Sequence, residues 1–242
     1  MLSFFRKIRR SLIDSHQMRT YLFYALGEIA LVVIGILIAL QINNWNEGRK
    51  ERSTERASLK EIQIALTSDL KTLTINQEVA QRNVGRLDRI LHYLQYETRY
   101  PDSLLTDFGA VSRGRSFTYN QSALRSLEAK GVDIIRNAEL RHSILDLYTD
   151  SYGLIIGGLS NFNSNLDLSI RPLLKTRFIY PEDRSFSFVP VNFVSLKSDL
   201  EFQNAVKVAR SNQYSLGERY DNAIIEVERI IGAINKEVGD GS

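Results

Sequence analysis

The sequence predicts a mainly α-helical protein, in which an N-terminal transmembrane helix continues into an antiparallel helical bundle with a small β-hairpin. Three observations predict this class. Residues 21–40 form one apolar run that carries a single charge, Glu28. The long stretch after this run repeats apolar side chains every three or four positions, which is typical of an amphipathic helix. Residues 177–194 instead alternate aromatic and polar side chains, which is typical of a hairpin.

The apolar run is long enough to cross a bilayer. At about 1.5 Å per residue, residues 21–40 span roughly 30 Å, the thickness of the hydrocarbon core. Aromatic side chains that would anchor the helix at the two interfaces flank the run: Tyr21, Phe23, Tyr24 and Trp45. Placing Tyr24 and Trp45 at opposite interfaces puts Glu28 about 6 Å inside the membrane. We therefore predict a transmembrane helix at residues 21–45.

The basic residues on either side of the run predict its orientation. Lys and Arg before the run are opposed only by Asp14, whereas those after it are interleaved with glutamates. The bias favours a cytoplasmic N-terminus and a C-terminal domain outside the cytoplasm, which in a bacterium means the inner membrane and the periplasm. A cleaved signal peptide fits poorly, because the basic segment is long and no small-residue cleavage pattern follows the run.

Residues 1–20 are predicted to be a basic amphipathic segment in the cytoplasm. Apolar residues recur there at helical spacing, at Leu2, Phe5, Ile8 and Leu12. The side chains that would meet the membrane surface are Arg6, Lys7, Arg9 and Arg10. Such a segment would lie on the inner leaflet and be attracted to anionic membrane lipid. A basic tail that only fixes the topology is the alternative.

The remaining residues, 46–242, are predicted to form one helical domain outside the cytoplasm. Their number suffices for one domain, and 43% hydrophobic and 24% charged residues are ordinary globular values. Apolar periodicity predicts a helix from Asn46 to about Tyr100, which Pro101 ends. Glycines and serines in residues 102–117 predict a loop.

Three further helices follow in the prediction. One runs from about Asn120 to Lys130 and ends before Gly131, which is placed as its C-cap. Asn137 caps the next helix, which continues to about Leu168. The sequence Ser-Asp-Leu-Glu at residues 198–201 reads as a capping box that opens the last helix.

The predicted hairpin carries the best candidate contact surface of the domain. Its aromatic side chains are Phe178, Tyr180, Phe186 and Phe188. Pro190 limits the hairpin to the edge of a sheet, because proline has no N–H to donate. We favour a lid that packs on the bundle. The alternative is a partner contact in which another chain adds a strand.

One face of the predicted transmembrane helix collects the acid and the small residues. Read at steps of three and four, this face, here called the transmembrane seam, contains Ala25, Glu28, Val32, Gly35, Ala39 and Ile42. Gly35 and Ala39 form a small-xxx-small pair, which lets two helix backbones approach closely. A charged carboxylate at the bilayer centre is disfavoured by about 2.5–3.5 kcal/mol on insertion scales. We therefore predict that the seam packs against another helix.

Glu28 has three interpretations. We favour a lock, in which it hydrogen-bonds a neighbouring helix or Tyr24. A ring of Glu28 side chains could instead line a proton or cation path, or Glu28 could pair with a basic group on another membrane protein. The resulting function hypotheses are a structural or interaction protein, assembled as a homo-oligomer or as the subunit of a membrane complex, and alternatively an oligomeric ion channel. A ligand sensor is weaker, because residues 1–20 are too short for an output domain.

The sequence does not predict an enzyme, a metal or a cofactor. The three histidines lack metal-ligand spacing, and no catalytic or nucleotide-binding fingerprint occurs: His16, His92 and His142. Asp146 and Asp150 are one turn apart but read as a solvated face, and Ser126 and Lys130 miss the spacing of a nucleophile pair. The formal charge of +3 gives little support to nucleic-acid binding.

Four stretches of the chain resemble one family. They are FFRKIRR at residues 4–10, YALGEIALVVIGILIALQINNWNE at 24–47, LEAKGVDIIRNAELR at 127–141 and DLEFQN at 199–204. They resemble a family of uncharacterised single-pass membrane proteins common in Bacteroidota, whose transmembrane motif is specific. The resemblance implies an inner-membrane protein with a helical domain outside the cytoplasm, and it implies no activity.

Overall fold

The computed structural model describes residues 18–111, 113–182 and 186–239 of the 242-residue chain. Its helices are α1 (Met18–Tyr96), α2 (Ser103–Val111), α3 (Ser122–Lys130), α4 (Ala138–Asp146), α5 (Tyr152–Asn165), α6 (Arg171–Arg177), α7 (Phe193–Ser198) and α8 (Leu200–Gly239). The strands β1 (Phe178–Ile179) and β2 (Val189–Pro190) pair antiparallel. The predicted mainly α class with a small hairpin is therefore confirmed.

The chain divides into two compact units, Met1–Thr54 and Glu55–Ser242. In the first unit the described residues belong to α1, and most of their side chains are exposed. The predicted basic side chains Arg6, Lys7, Arg9 and Arg10 lie outside the described residues.

The second unit is a bundle in which α8 runs antiparallel to α1. Three polar pairs join these helices: Gln63–Asn235 at 2.6 Å, Gln77–Asp221 at 2.9 Å, and Asp88–Arg210. The residue numbers of the partners decrease along α8 as they increase along α1, so the two helices are antiparallel. Apolar side chains at helical spacing fill the space between the helices, among them Leu66, Leu73, Leu87, Tyr220, Val227 and Ile234. The long amphipathic helices were predicted from this spacing.

The third long element runs from α4 through α6 and packs against α8. A π-helical turn, Leu147–Ser151, joins α4 to α5, and a second, Leu166–Ile170, joins α5 to α6. Asn137 caps α4 as predicted, since its side chain accepts a hydrogen bond from the Leu140 N–H at 3.1 Å. The predicted end near Leu168 is too early, because α6 continues to Arg177. Pro172 stands in the first turn of α6, directly after the second π-helical turn.

The predicted loop at residues 102–117 is wrong in its first half, which forms α2. Leu104 and Phe108 lie one turn apart and are buried, so α2 has an apolar face that packs on the bundle. The loop was predicted from the glycines and serines, and this apolar spacing was overlooked. Gly109 is required there, because a Cβ at this position would overlap the backbone carbonyl of Phe186. The Phe188 N–H donates to the Leu105 carbonyl at 3.0 Å, which also holds the hairpin against α2.

Residues 113–120, here called the strap, belong to no helix or strand. Arg115, Phe117 and Tyr119 are half-buried, whereas the residues between them are exposed. The Asn120 N–H at one end donates to Asp69 of α1 at 2.9 Å. Asn163 of α5 holds the other end, accepting from the Arg115 N–H at 3.1 Å and donating to the Arg115 carbonyl at 2.8 Å. The strap is therefore tied to two helices of the bundle.

The predicted capping box at residues 198–201 is also wrong in detail. Asp199 caps α8, since its side chain accepts from the Phe202 N–H at 3.0 Å. Ser198 ends the short helix α7, and its hydroxyl donates to the Ser195 carbonyl. An unpredicted cap at Asn192 starts α7, so one more helix turn fits before α8.

Candidate interaction sites

The transmembrane seam lies on α1 in the first unit. Val32 and Ile42 are 59% and 61% exposed, and a Cβ on Gly35 would meet nothing within 4 Å. Ala39 is exposed as well, while Ala25 and Glu28 are half-buried. This part of α1 is long and apolar enough to cross a membrane, and none of its most apolar stretch is buried by the protein. The seam therefore has its surface open to lipid or to another helix.

Trp45 stands at the polar end of the apolar run. Trp45 is largely exposed, and the Arg49 guanidinium lies 6.0 Å from the centre of its ring. A cation over an indole face is a favourable pairing at an exposed site. Tryptophan beside a basic residue suits the interface between lipid and water.

The hairpin splits its four predicted aromatic side chains between the core and the surface. Phe178 and Phe188 are buried, at 3% and 4% exposure, so they pack inward as a lid would. Tyr180 and Phe186 are each 46% exposed, so of the four predicted side chains these two expose their rings. The Arg113 guanidinium lies 4.1 Å from the centre of the Phe186 ring.

Aliphatic side chains around the hairpin enlarge this surface. Five aliphatic side chains near the hairpin are exposed: Ile179, Val189, Val191, Val194 and Leu200. Together with Tyr180 and Phe186 they are here called the hairpin patch. Ile179 and Val189 are cross-strand neighbours, so they lie side by side. The sequence analysis missed these residues, although the alternation that buries Phe178 also exposes Ile179.

A buried carboxylate, which the sequence analysis did not predict, lies inside the bundle. Asp69 is 2% exposed, accepts from the Asn120 N–H at 2.9 Å and accepts from the Tyr152 hydroxyl at 3.2 Å. Burial raises the pKa of Asp69, because a charge is poorly solvated in the interior. Burial also raises the pKa of Tyr152 far above its ordinary value.

Aromatic rings pack around Tyr152, which donates to this carboxylate. Tyr119 lies 4.7 Å from Tyr152 between ring centres, Phe117 lies 5.3 Å from Tyr152, and Tyr148 lies 5.4 Å from it. The Tyr148 hydroxyl is buried without a hydrogen-bond partner among the described residues. Because Asp69 is buried and its hydrogen bonds join the strap to α1 and α5, we assign this cluster to the stability of the bundle.

The remaining predicted chemical groups have structural surroundings. Ser126 donates to Glu61 at 3.0 Å and Lys130 pairs with Glu61 at 3.3 Å, and both contacts lower the pKa of that carboxyl. Asp146 and Asp150 are exposed. Within the described part of the chain, no group of three or more acidic or histidine side chains is placed to hold a metal ion.

Comparison with known proteins yields one family. No curated protein and no solved structure matches the chain. The family described as "Family of unknown function (DUF6090)" matches residues 28–167, which is more than half of the chain. The matched region begins at Glu28 of the transmembrane seam and includes the strap and Asp69. The chain belongs to this family of unknown function.

Proposed function

We propose that the protein is a membrane-anchored interaction protein. Residues 21–45 cross the bacterial inner membrane, with the N-terminus in the cytoplasm and the helical domain in the periplasm. The transmembrane seam packs against another helix, from a second copy or from the partner in a membrane complex. The observation that carries this proposal is the position of Glu28, within an apolar helix of whose most apolar stretch no part is buried by the protein.

The energetics of the bilayer favour such packing. Intramembrane acids face protein or water rather than lipid tails, because lipid offers the carboxyl group no hydrogen-bond partner. Gly35 and Ala39 lie on the same face. Because their side chains are a hydrogen atom and a methyl group, the backbone of a neighbouring helix can approach closely there. A single helix–helix contact along the seam would therefore both pack the two backbones closely and shield the Glu28 carboxyl group from lipid.

The helical domain supplies a second surface for the same function. The hairpin patch groups exposed aliphatic side chains with the rings of Tyr180 and Phe186. Exposed apolar side chains that lie side by side, as Ile179 and Val189 do, are typical of protein–protein contact sites. The hairpin strands are two residues long and pair only with each other among the described strands, so an edge remains for a partner strand.

We expect cysteine cross-linking to map the seam. The chain contains no cysteine, so a single substitution gives one unambiguous cross-linking site. In native membranes, Gly35→Cys and Ala39→Cys should form disulfide-linked dimers on mild oxidation, because the seam brings equivalent positions together. Leu37→Cys is the matched control, since it lies at the same depth on the opposite face and should stay monomeric.

Mass measurement in mild detergent then separates the two kinds of partner. A homo-oligomer gives multiples of the 27.7 kDa chain, and a heteromeric complex gives co-purifying subunits and little cross-linked dimer. Equal cross-linking at the seam and at Leu37, with a monomeric mass and no companion, would refute the proposal.

The ion channel is the second candidate, because Glu28 places a titratable group within the apolar run. If it conducts, vesicles containing the protein should pass protons or cations, and Glu28→Gln should abolish that flux while leaving the oligomer intact. Flux that is absent, or that is unchanged in Glu28→Gln, would exclude the channel and leave the interaction role standing.

A further inference from the structure

Arg115 occupies an unusual position in the bundle. The strap holds its backbone in place through two hydrogen bonds to the Asn163 side chain, so the residue has little freedom to move outward. Its Nε is buried and has no acceptor among the described residues. An unpaired buried donor on a charged side chain is unfavourable, since water has been removed and nothing replaces it.

The charges around Arg115 are of the same sign. The guanidiniums of Arg82, Arg86 and Arg113 lie close enough to act on it, and burial together with this repulsion lowers its pKa. Among the described residues that act on its charge, the phenol of Tyr220 is neutral at physiological pH because burial raises its pKa to about 12, so it does not offset this repulsion. Arg82, Arg86, Arg113 and Arg115 are here called the arginine cluster.

Little negative charge in the structure offsets this cluster. In the described part of the chain, the carboxylate that contacts the cluster is that of Asp107, whose Oδ1 lies 3.6 Å from the Arg86 Nε. That carboxylate is already held by Arg89 through two hydrogen bonds of 2.8 Å. Asn83, which follows Arg82 in α1, is 3% exposed, and its Nδ2 is a second buried donor without an acceptor among the described residues.

We propose that the arginine cluster binds a small oxyanion, a phosphate or a carboxylate group, with Arg115 at its centre. Guanidinium groups match these anions in shape, because two parallel N–H donors meet two oxygens. Arg82 and Arg113 are exposed, so the anion reaches the cluster from solvent, whereas Arg115 contacts it from within the bundle. The site is independent of the proposed membrane contact, since its residues belong to the helical domain.

Isothermal titration of the full chain in detergent micelles tests the proposal. Sodium phosphate and sodium acetate are titrated separately at neutral pH, with chloride used to equalise ionic strength. We expect saturable binding of one of them, which also distinguishes a phosphate from a carboxylate ligand. Arg115→Gln should weaken this binding roughly tenfold or more, the loss expected when a charge-assisted hydrogen bond is removed.

Two further variants make the result decisive. Arg82→Gln changes an exposed side chain, so the variant should fold even if Arg115→Gln does not, and it should also weaken binding. Arg125→Gln is the control, because Arg125 is exposed on α3 and donates to Gln121 outside the cluster. Failure of both anions to bind, or equal binding by the wild type and the cluster variants, would overturn the proposal.

Discussion

Phe108→Ala is expected to lower the free energy of unfolding by about 3–5 kcal/mol, the range for truncating a buried aromatic side chain. The Phe108 side chain is fully buried in α2. Its ring meets rings from three separate parts of the chain, at centre-to-centre distances of 6.4 Å to Tyr100, 4.9 Å to Phe178 and 6.4 Å to Phe202. A cavity at this position would loosen α2, the hairpin and α8 together.

Chemical denaturation of the full chain in detergent, followed by circular dichroism, measures this loss. Phe186→Ala is the matched control, since its ring is 46% exposed and contacts Arg113 at the surface. That variant should lose less than about 1 kcal/mol, the value of an exposed cation–π contact. Similar losses for the two variants would show that Phe108 is not the centre of this core.

The elements with a strong local signal could be predicted from the sequence. Apolar spacing predicted the helices around Leu66 and Val227, and Gly131 ends α3 at φ +93° as a C-cap glycine should. The hairpin was predicted from its aromatic alternation, and β1 pairs with β2 as expected. In each case the residues that form the element carry the pattern themselves.

The strap and α2 depend on residues far away in the chain, and this explains why they were missed. Phe108 is buried because Phe178 and Phe202 reach it from the hairpin and from α8. Arg115 is fixed by Asn163, and no local pattern links the two. Gly109 read as a loop signal, although its role is to let the Phe186 backbone approach a helix.

The candidate sites follow the same division. The transmembrane seam stays a prediction, but the shared face of Glu28, Gly35 and Ala39 follows from helical periodicity and needs only the sequence. The hairpin patch was readable in part, because Tyr180 and Phe186 stand out as aromatic whereas Val191 and Val194 do not. The arginine cluster was not readable, since α1 and the strap meet only in the folded chain.

The carboxylate of Asp69 gives the second large expected effect. Asp69→Ala should destabilise the protein, because the Asn120 N–H and the Tyr152 hydroxyl both lose their acceptor. Each buried donor left unsatisfied costs about 1–3 kcal/mol. Asp69→Asn should avoid this loss, because its Oδ1 still accepts from Asn120 and its Nδ2 can donate to the Tyr152 oxygen. The two variants therefore separate the hydrogen bonds from the charge.

The charge itself should make stability depend on pH in a defined direction. Burial raises the pKa of Asp69 in the folded protein above its unfolded value, so the folded state holds the proton more tightly. The stability that this proton provides is fully present below the unfolded pKa and is lost as pH rises through the folded pKa. The stability of the wild type relative to Asp69→Asn should thus fall as pH rises across this window.

Denaturation of both proteins at a series of pH values measures this difference, and the other titrating groups cancel in the subtraction. A difference that stays constant with pH would mean that Asp69 keeps an ordinary pKa in the folded protein. A difference that rises with pH would mean that its pKa is lowered, and that its two hydrogen bonds outweigh its burial. The expected fall requires that the neighbouring rings of Tyr119 and Tyr152 exclude water from the carboxylate. Tyr119→Ala should therefore reduce the pH dependence of this stability difference.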